Sequence, residues 1–198
     1  MSSSSSSIPP NVLEIKTVQV ASIRTLMTAL KDILVETNII FKKDGMRIVT
    51  MDRSHMILCH LHLKNENFED YYCEYDKIII CVNMLHLFKL INTIDNDDVL
   101  TLYIRREDYC DGIVNQFGIK FENNNIRQCK NQFLHVLDSE DDSEFPLPEL
   151  KYSSVINMPS TDFQKIIRDL SQLSDCLEIK SIGKELTFSL KGQFASAT

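Results

Sequence analysis

Strand-like alternation and helix-like spacing follow one another along this chain in a set order. Residues 13–18 (LEIKTV) alternate apolar and polar as a strand does. Ile23, Leu26, Met27, Leu30, Ile33 and Leu34 then recur at helical spacing, which predicts a helix over residues 22–35. Residues 38–42 and 45–51 alternate again around Lys43-Asp44-Gly45, where Asp-Gly provides a hairpin turn. Further strands are expected at 56–63, 71–73 and 78–81, before a second helix over 83–92 that buries Met84, Leu87, Phe88 and Ile91. Three more strands follow, at 99–105, 113–122 and about 126–136, joined by polar turns.

Residues 137–150 break the pattern. Asp138, Glu140, Asp141, Asp142 and Glu144 fall within seven residues, ahead of Phe145-Pro146-Leu147-Pro148. Such charge density does not pack and two prolines exclude a helix, which leaves an exposed extended linker or an ordinary acidic surface loop. Beyond it the opening order returns. A strand is expected over 152–157. Pro159-Ser160 then opens a helix with Ser160 as N-cap, burying Phe163, Ile166, Ile167, Leu170 and Leu173. A hairpin of 177–182 and 186–190 turns around Gly183-Lys184-Glu185. Strand, helix and hairpin repeat the order of residues 13–51 at an offset of about 140, which argues for two copies of one domain fold. The second copy stops at its hairpin; half a sheet leaves unpaired edges and an open core, so the chain reads as a piece of a longer protein. The organisation expected is a disordered Ser-rich tail at 1–10, a first domain at 11–136, a linker at 137–151 and the first part of a second domain at 152–198.

Composition narrows the function. No apolar run approaches the roughly 18 residues of a membrane span, and the start lacks a secretion signal's charged-then-apolar order, so no membrane partner is expected. Cys59, Cys73, Cys81, Cys110, Cys129 and Cys176 form no C-x-x-C pair, so they read as core thiols and not as zinc or redox centres. His60 and His62 share one strand face, but no third ligand is spaced to join them, and neither a metal nor a cofactor is expected. The net charge of −7 excludes tight non-specific wrapping of nucleic acid, yet leaves room for cations gathered on one face. Arg24 and Lys31 lie on one side of the first helix, His86 and Lys89 on the second, and Lys165 and Arg168 on the third. Each pair is expected to point outward, opposite the apolar stripe; solvated faces alone would explain that. An enzyme is disfavoured, because the chain has no Gly-rich phosphate loop, no G-x-S-x-G elbow and no H-E-x-x-H.

One stretch is spelled more specifically than strand pairing requires. Residues 45–68 read GMRIVTMDRSHMILCHLHLKNENF, with Met51-Asp52-Arg53-Ser54-His55 as a tight corner between two alternating runs. The corner resembles the Met-Asp-x-Ser-His-Val-x-Leu of the proliferating cell nuclear antigen family of DNA sliding clamps, with Met56 in place of Val and Leu58 as the Leu. Tyr72-Cys73-Glu74, Val82-Asn83, Asn96-Asp97-Asp98, Leu147-Pro148-Glu149, Tyr152-Ser153, Met158-Pro159-Ser160-x-x-Phe163 and Arg168-Asp169-Leu170-Ser171 extend the resemblance over nearly all of residues 11–198.

The resemblance implies an α+β sliding-clamp fold, with antiparallel sheets outside and helix pairs on the inner face of a three-subunit ring. It implies a processivity factor that encircles double-stranded DNA without reading its sequence and performs no chemistry. Arg24, Lys31, Lys89, Lys165 and Arg168 match the positions of the family's DNA-facing cations. Thr25 and Asn92 stand where the family usually has lysine, so the lining is less basic. The matching partner groove comprises Met51, His55, Met56 and Leu58 with linker residues Phe145, Leu147 and Pro148. Implied partners are a DNA polymerase and other proteins with short aromatic motifs, a clamp loader, and two further copies once the chain is full length. The location implied is the nucleus, or the site of viral DNA replication. A checkpoint-type clamp subunit, or an interaction module that does not use DNA, is the alternative reading. The chain as given is expected not to close a ring, one subunit edge being read as absent.

Overall fold

The computed structural model describes residues 9–52, 54–95, 97–123, 127–138, 151–152, 154–174, 176–183, 185–191 and 196–197. Residues 1–8 of the Ser-rich tail, and linker residues 139–150 with Phe145, Leu147 and Pro148, lie outside them. The chain divides into two compact units, Met1–Pro146 and Leu147–Thr198.

The first unit runs β1 (Asn11–Thr17), α1 (Val20–Ile33), β2 (Glu36–Lys42), β3 (Gly45–Met51), β4 (Leu58–Lys64), β5 (Asp70–Cys73), β6 (Ile78–Asn83), α2 (Met84–Ile91), β7 (Val99–Arg105), β8 (Tyr109–Cys110), β9 (Ile113–Val114), β10 (Gln116–Asn123) and β11 (Gln128–His135). Two antiparallel sheets result, in the orders β11-β10-β7-β1-β5 and β4-β3-β2-β6, with β8 and β9 as a small separate ladder. Each sheet buries one face, as alternation requires. One continuous core draws on both sheets and both helices, from Val12 and Ile15 through Met27, Leu30, Ile48, Ile80 and Leu87 to Leu102 and Ile119. Phe41 of β2 meets Phe117 of β10 with ring centroids 5.9 Å apart, which links the two sheets through fully buried aromatics.

Local chemistry explains the boundaries. Asn83 caps α2 by accepting a hydrogen bond from the His86 amide at 3.1 Å. The β2–β3 hairpin pairs Phe41 with Met46 and Lys42 with Gly45. Gly45 has φ +143°, and a Cβ there would stand 2.2 Å from the Leu63 carbonyl oxygen of β4, so both conformation and space demand glycine. Expected strand 113–122 divides at Asn115, whose amide leaves the ladder to donate to Asp108 O at 2.9 Å. Ile33 is more exposed than its place in the helical spacing suggested, while Val20, one turn ahead of Ile23, is fully buried.

The second unit has α3 (Ser160–Ser171), β12 (Glu178–Ile182), β13 (Glu185–Lys191) and β14 (Ser196–Ala197), the strands forming one antiparallel sheet in that order. Helix and hairpin appear as read from the periodicity. The strand expected over 152–157 does not: among the described residues there, none joins a ladder, and Ser154 instead meets Ser181 through their hydroxyls at 3.4 Å. Ser160 is the first helical residue and not the cap; Pro159 precedes it, its carbonyl accepting from the Asp162 and Phe163 amides at 3.1 and 3.2 Å. Phe163 and Leu173 were expected in a core but remain exposed, and Ile166, Ile167 and Leu170 are half-buried.

Candidate functional site

The corner between β3 and β4 is built around one carboxylate. Expected as strand from residue 56, the chain instead turns until Leu58, because the amides that would enter a ladder go elsewhere. Asp52 Oδ1 accepts from the Met56 and Ile57 amides, both at 2.8 Å. Its Oδ2 accepts from the Ser54 hydroxyl and, at 3.3 Å, from the Ser54 amide. The Asp52 amide donates back to Ile57 O at 2.9 Å, and the His55 amide to Asp52 O at 3.0 Å. His55 itself takes the left-handed conformation, φ 55°, that carries the chain round. The spelling Asp-x-Ser thus has a physical cause: a short acceptor gathers the local amides that the turn leaves unpaired.

These bonds favour the ionised carboxylate. Asp52 is lowered from the ordinary 3.8 to about 2, first by the Ser54 hydroxyl, then by the Ile57 amide, with the Met56 and Ser54 amides adding to it. A depressed carboxyl contributes stability that is complete above its unfolded value and is lost as pH falls through the folded one. Amide protection at Met56 and Ile57, measured by hydrogen exchange against intrinsic rates, is therefore expected to hold from neutral pH to about 4 and to collapse toward pH 2. An Asp52→Asn variant is expected to be less protected throughout and to lose that step. Equal protection in both proteins across the range would remove Asp52 as the fastener.

What the corner displays is apolar. Met56 is 84% exposed and Ile57 50%, beside exposed His55. Met51 and Leu58 face each other in the β3–β4 register and are half-buried. Met51, His55, Met56 and Leu58 are therefore gathered at one corner, whereas Phe145, Leu147 and Pro148 lie outside the described residues. The linker's first residue is tied down: the Leu137 amide donates to Cys81 O of β6 at 2.8 Å. Sequence reading passed over Asp52 as the organiser and placed Ile57 inside a strand. The Asp-x-Ser spacing was the signal available for the first.

The helix faces differ from one another. Arg24 was expected to point outward from α1, but it is half-buried, and its Nη2 donates to the Ile94 carbonyl just beyond α2. Lys31 leans the same way: its Nζ pairs with Asp32 at 2.5 Å and stands 5.1 Å from the centroid of the Phe88 ring on α2. Both cations therefore help join α1 to α2. Lys89 is exposed on α2, as are Lys165 and Arg168 on α3. Among the described residues none of these three pairs with a carboxylate.

The thiols need correcting. Cys73 alone is buried; Cys59 and Cys81 are half-buried, and Cys110, Cys129 and Cys176 are exposed, so only part of the set behaves as core. Burial pushes the Cys59, Cys73 and Cys81 thiols up, which makes them poor nucleophiles. His60 and His62 lie on the exposed face of β4, His62 Nε2 being 4.0 Å from Asp44. Among the described residues no three His, Cys, Asp or Glu side chains gather as a metal site.

Comparison with known proteins bears on the family and the fold. The model of the proliferating cell nuclear antigen N-terminal domain matches residues 12–145, and that of the C-terminal domain matches residues 146–198. The "Probable DNA polymerase sliding clamp 1" of Paramecium bursaria Chlorella virus 1 is 32% identical over 181 residues, covering 90% of this chain. This chain spans 66% of that relative's length. The crystal structure of proliferating cellular nuclear antigen from Entamoeba histolytica superposes with a TM-score of 0.82 at 26% identity, over 94% of this chain and 72% of that one.

Proposed function

Because this chain belongs to the proliferating cell nuclear antigen family and has its α+β sliding-clamp fold, we propose that the full-length protein is a DNA sliding clamp. It encircles duplex DNA as a homotrimer, is placed there by a clamp loader, and tethers a polymerase and other replication or repair proteins. It works where DNA is replicated, in the nucleus or at a viral replication site, and performs no chemistry of its own. The match of both family domains along residues 12–198 carries this reading. Topology suits the chain's physics: a closed ring needs few cations to stay on DNA, so a net charge of −7 and a thin basic lining are compatible with retention.

Partners dock at the β3–β4 corner, on Met51, His55, Met56 and Leu58, with Phe145, Leu147 and Pro148 of the linker completing the groove. A short helical turn carrying one aliphatic and two aromatic side chains suits such an apolar surface. Assembly has support in the first unit: β11 ends its five-stranded sheet and is largely exposed, as an edge open to strand addition is.

Retention on DNA of different topology tests the proposal. Loaded onto a closed circle, the full-length protein is expected to stay bound through a high-salt wash and to run off after a single restriction cut. Equal loss from circular and linear DNA would refute encirclement.

A further inference from the structure

We infer that Met56 is an oxidation site on the docking corner: a peroxide converts its thioether to a sulfoxide, and the corner then holds apolar partners less well. This rests on the groove reading above and adds a redox control to it. Among the described residues the methionines divide by exposure. Met27, Met46 and Met84 are at most 3% exposed, and Met51 and Met158 are half-buried. Met56 is 84% exposed. An oxidant reaches a thioether only where it can approach a sulfur lone pair, so Met56 reacts ahead of the others. The Val that the resembling corner carries at this position has no sulfur, which makes the susceptibility a property of this chain.

The step is a two-electron oxidation that balances with hydrogen peroxide alone. A sulfur lone pair attacks one peroxide oxygen, and the S–O bond forms as the O–O bond breaks. The departing hydroxide takes the proton of the transferred hydroxyl, giving one sulfoxide and one water. Sulfur is oxidised and the peroxide oxygens are reduced. The product is a polar, chiral side chain in place of an adaptable apolar one. Backbone at the corner is held independently of that change, because Asp52 Oδ1 accepts from the Met56 and Ile57 amides at 2.8 Å each. The frame therefore survives while the surface it displays is altered. Exposed Ile57 and half-buried Met51 and Leu58 give the corner its apolar character. An apolar partner seated there buries the sulfoxide oxygen without offering it a donor, and an unmatched buried polar group weakens the complex.

The test uses the full-length protein and a labelled synthetic peptide with one aliphatic and two aromatic side chains in one helical turn. The protein is treated with graded hydrogen peroxide and then with dithiothreitol. The thiol reverses sulfenic acids and disulfides at the exposed Cys110, Cys129 and Cys176 but leaves methionine sulfoxide in place. Peptide mapping by mass spectrometry is expected to find sulfoxide at Met56 before Met51 and Met158. Fluorescence anisotropy is expected to show an accompanying rise in Kd of about tenfold. Methionine sulfoxide reductases for both epimers are expected to restore the starting affinity. Met56→Leu is compared only with itself: its affinity, whatever the starting value, is expected not to respond to peroxide doses that convert Met56 in the unaltered protein. Oxidation of Met51 or Met158 first, Met56 sulfoxide without loss of affinity, or an equal loss in Met56→Leu would each overturn the inference and leave the groove standing. A peptide that fails to bind the folded, untreated protein would remove the groove and the inference with it.

Discussion

Met56→Ala, combined with Met51→Ala in the full-length protein, is expected to weaken a clamp-binding peptide by about 1–3 kcal/mol per side chain, roughly a five- to hundredfold rise in Kd for each. Met56 is 84% exposed, so its own removal takes little from the core and the loss falls on the partner. Methionine suits such a site because its unbranched thioether adapts to differing aromatic anchors. Leu147→Ala, on the linker side of the proposed groove, is expected to act in the same direction. Isothermal titration with a peptide bearing one aliphatic and two aromatic anchors measures all three, with circular dichroism to verify folding. Retention on circular DNA is expected to be unaffected, since the proposed groove is distinct from the proposed DNA-facing helices. Unchanged peptide affinity in folded variants would remove the groove from this corner.

Phe41→Ala is expected to destabilise the first unit by about 3–5 kcal/mol. Phe41 is fully buried and its ring meets that of Phe117 across the two sheets, so truncation opens a cavity where the sheets are joined. Neither sheet can close over the gap without moving its neighbour, because register is held on both sides: Phe41 pairs with Met46 in one direction and Ile78 in the other. A domain's net stability is only about 5–15 kcal/mol, so this single change removes a large part of it. Chemical denaturation reads the effect as a lower midpoint at unchanged slope. A loss below about 1 kcal/mol would mean that the two sheets do not share one core there.

Residues along the chain carried much of this architecture openly. Apolar spacing specified α1 and α2 and the longer strands of the first unit to within a few positions, because each of these elements buries one face and its period records that; the short β8 was not expected. The Asp-Gly turn at 44–45 is local chemistry, visible without a fold, whereas Asn83, read as the first residue of the helix, proved to be its cap. Met-Asp-x-Ser-His, with the scattered motifs around it, was enough to indicate the family. The family-domain matches then established membership, and the superposition on a solved relative established the fold.

Other features depended on partners distant in sequence. Outward direction was inferred for Arg24 from helical spacing, yet a carbonyl 70 residues away, Ile94 O, draws its guanidinium aside. Lys31 turns toward Phe88 for the same kind of reason, a ring brought near by the packing of α2 on α1. Residues 152–157 stand where the repeated order calls for a strand, but a strand also needs a neighbour to receive its amides. Residues 56–57 show the reverse case: they have the pattern and the neighbour, and Asp52 takes their amides first. Periodicity determined which side of each element is apolar; where a long polar side chain ends, and which acceptor wins an amide, was decided only once the elements had packed.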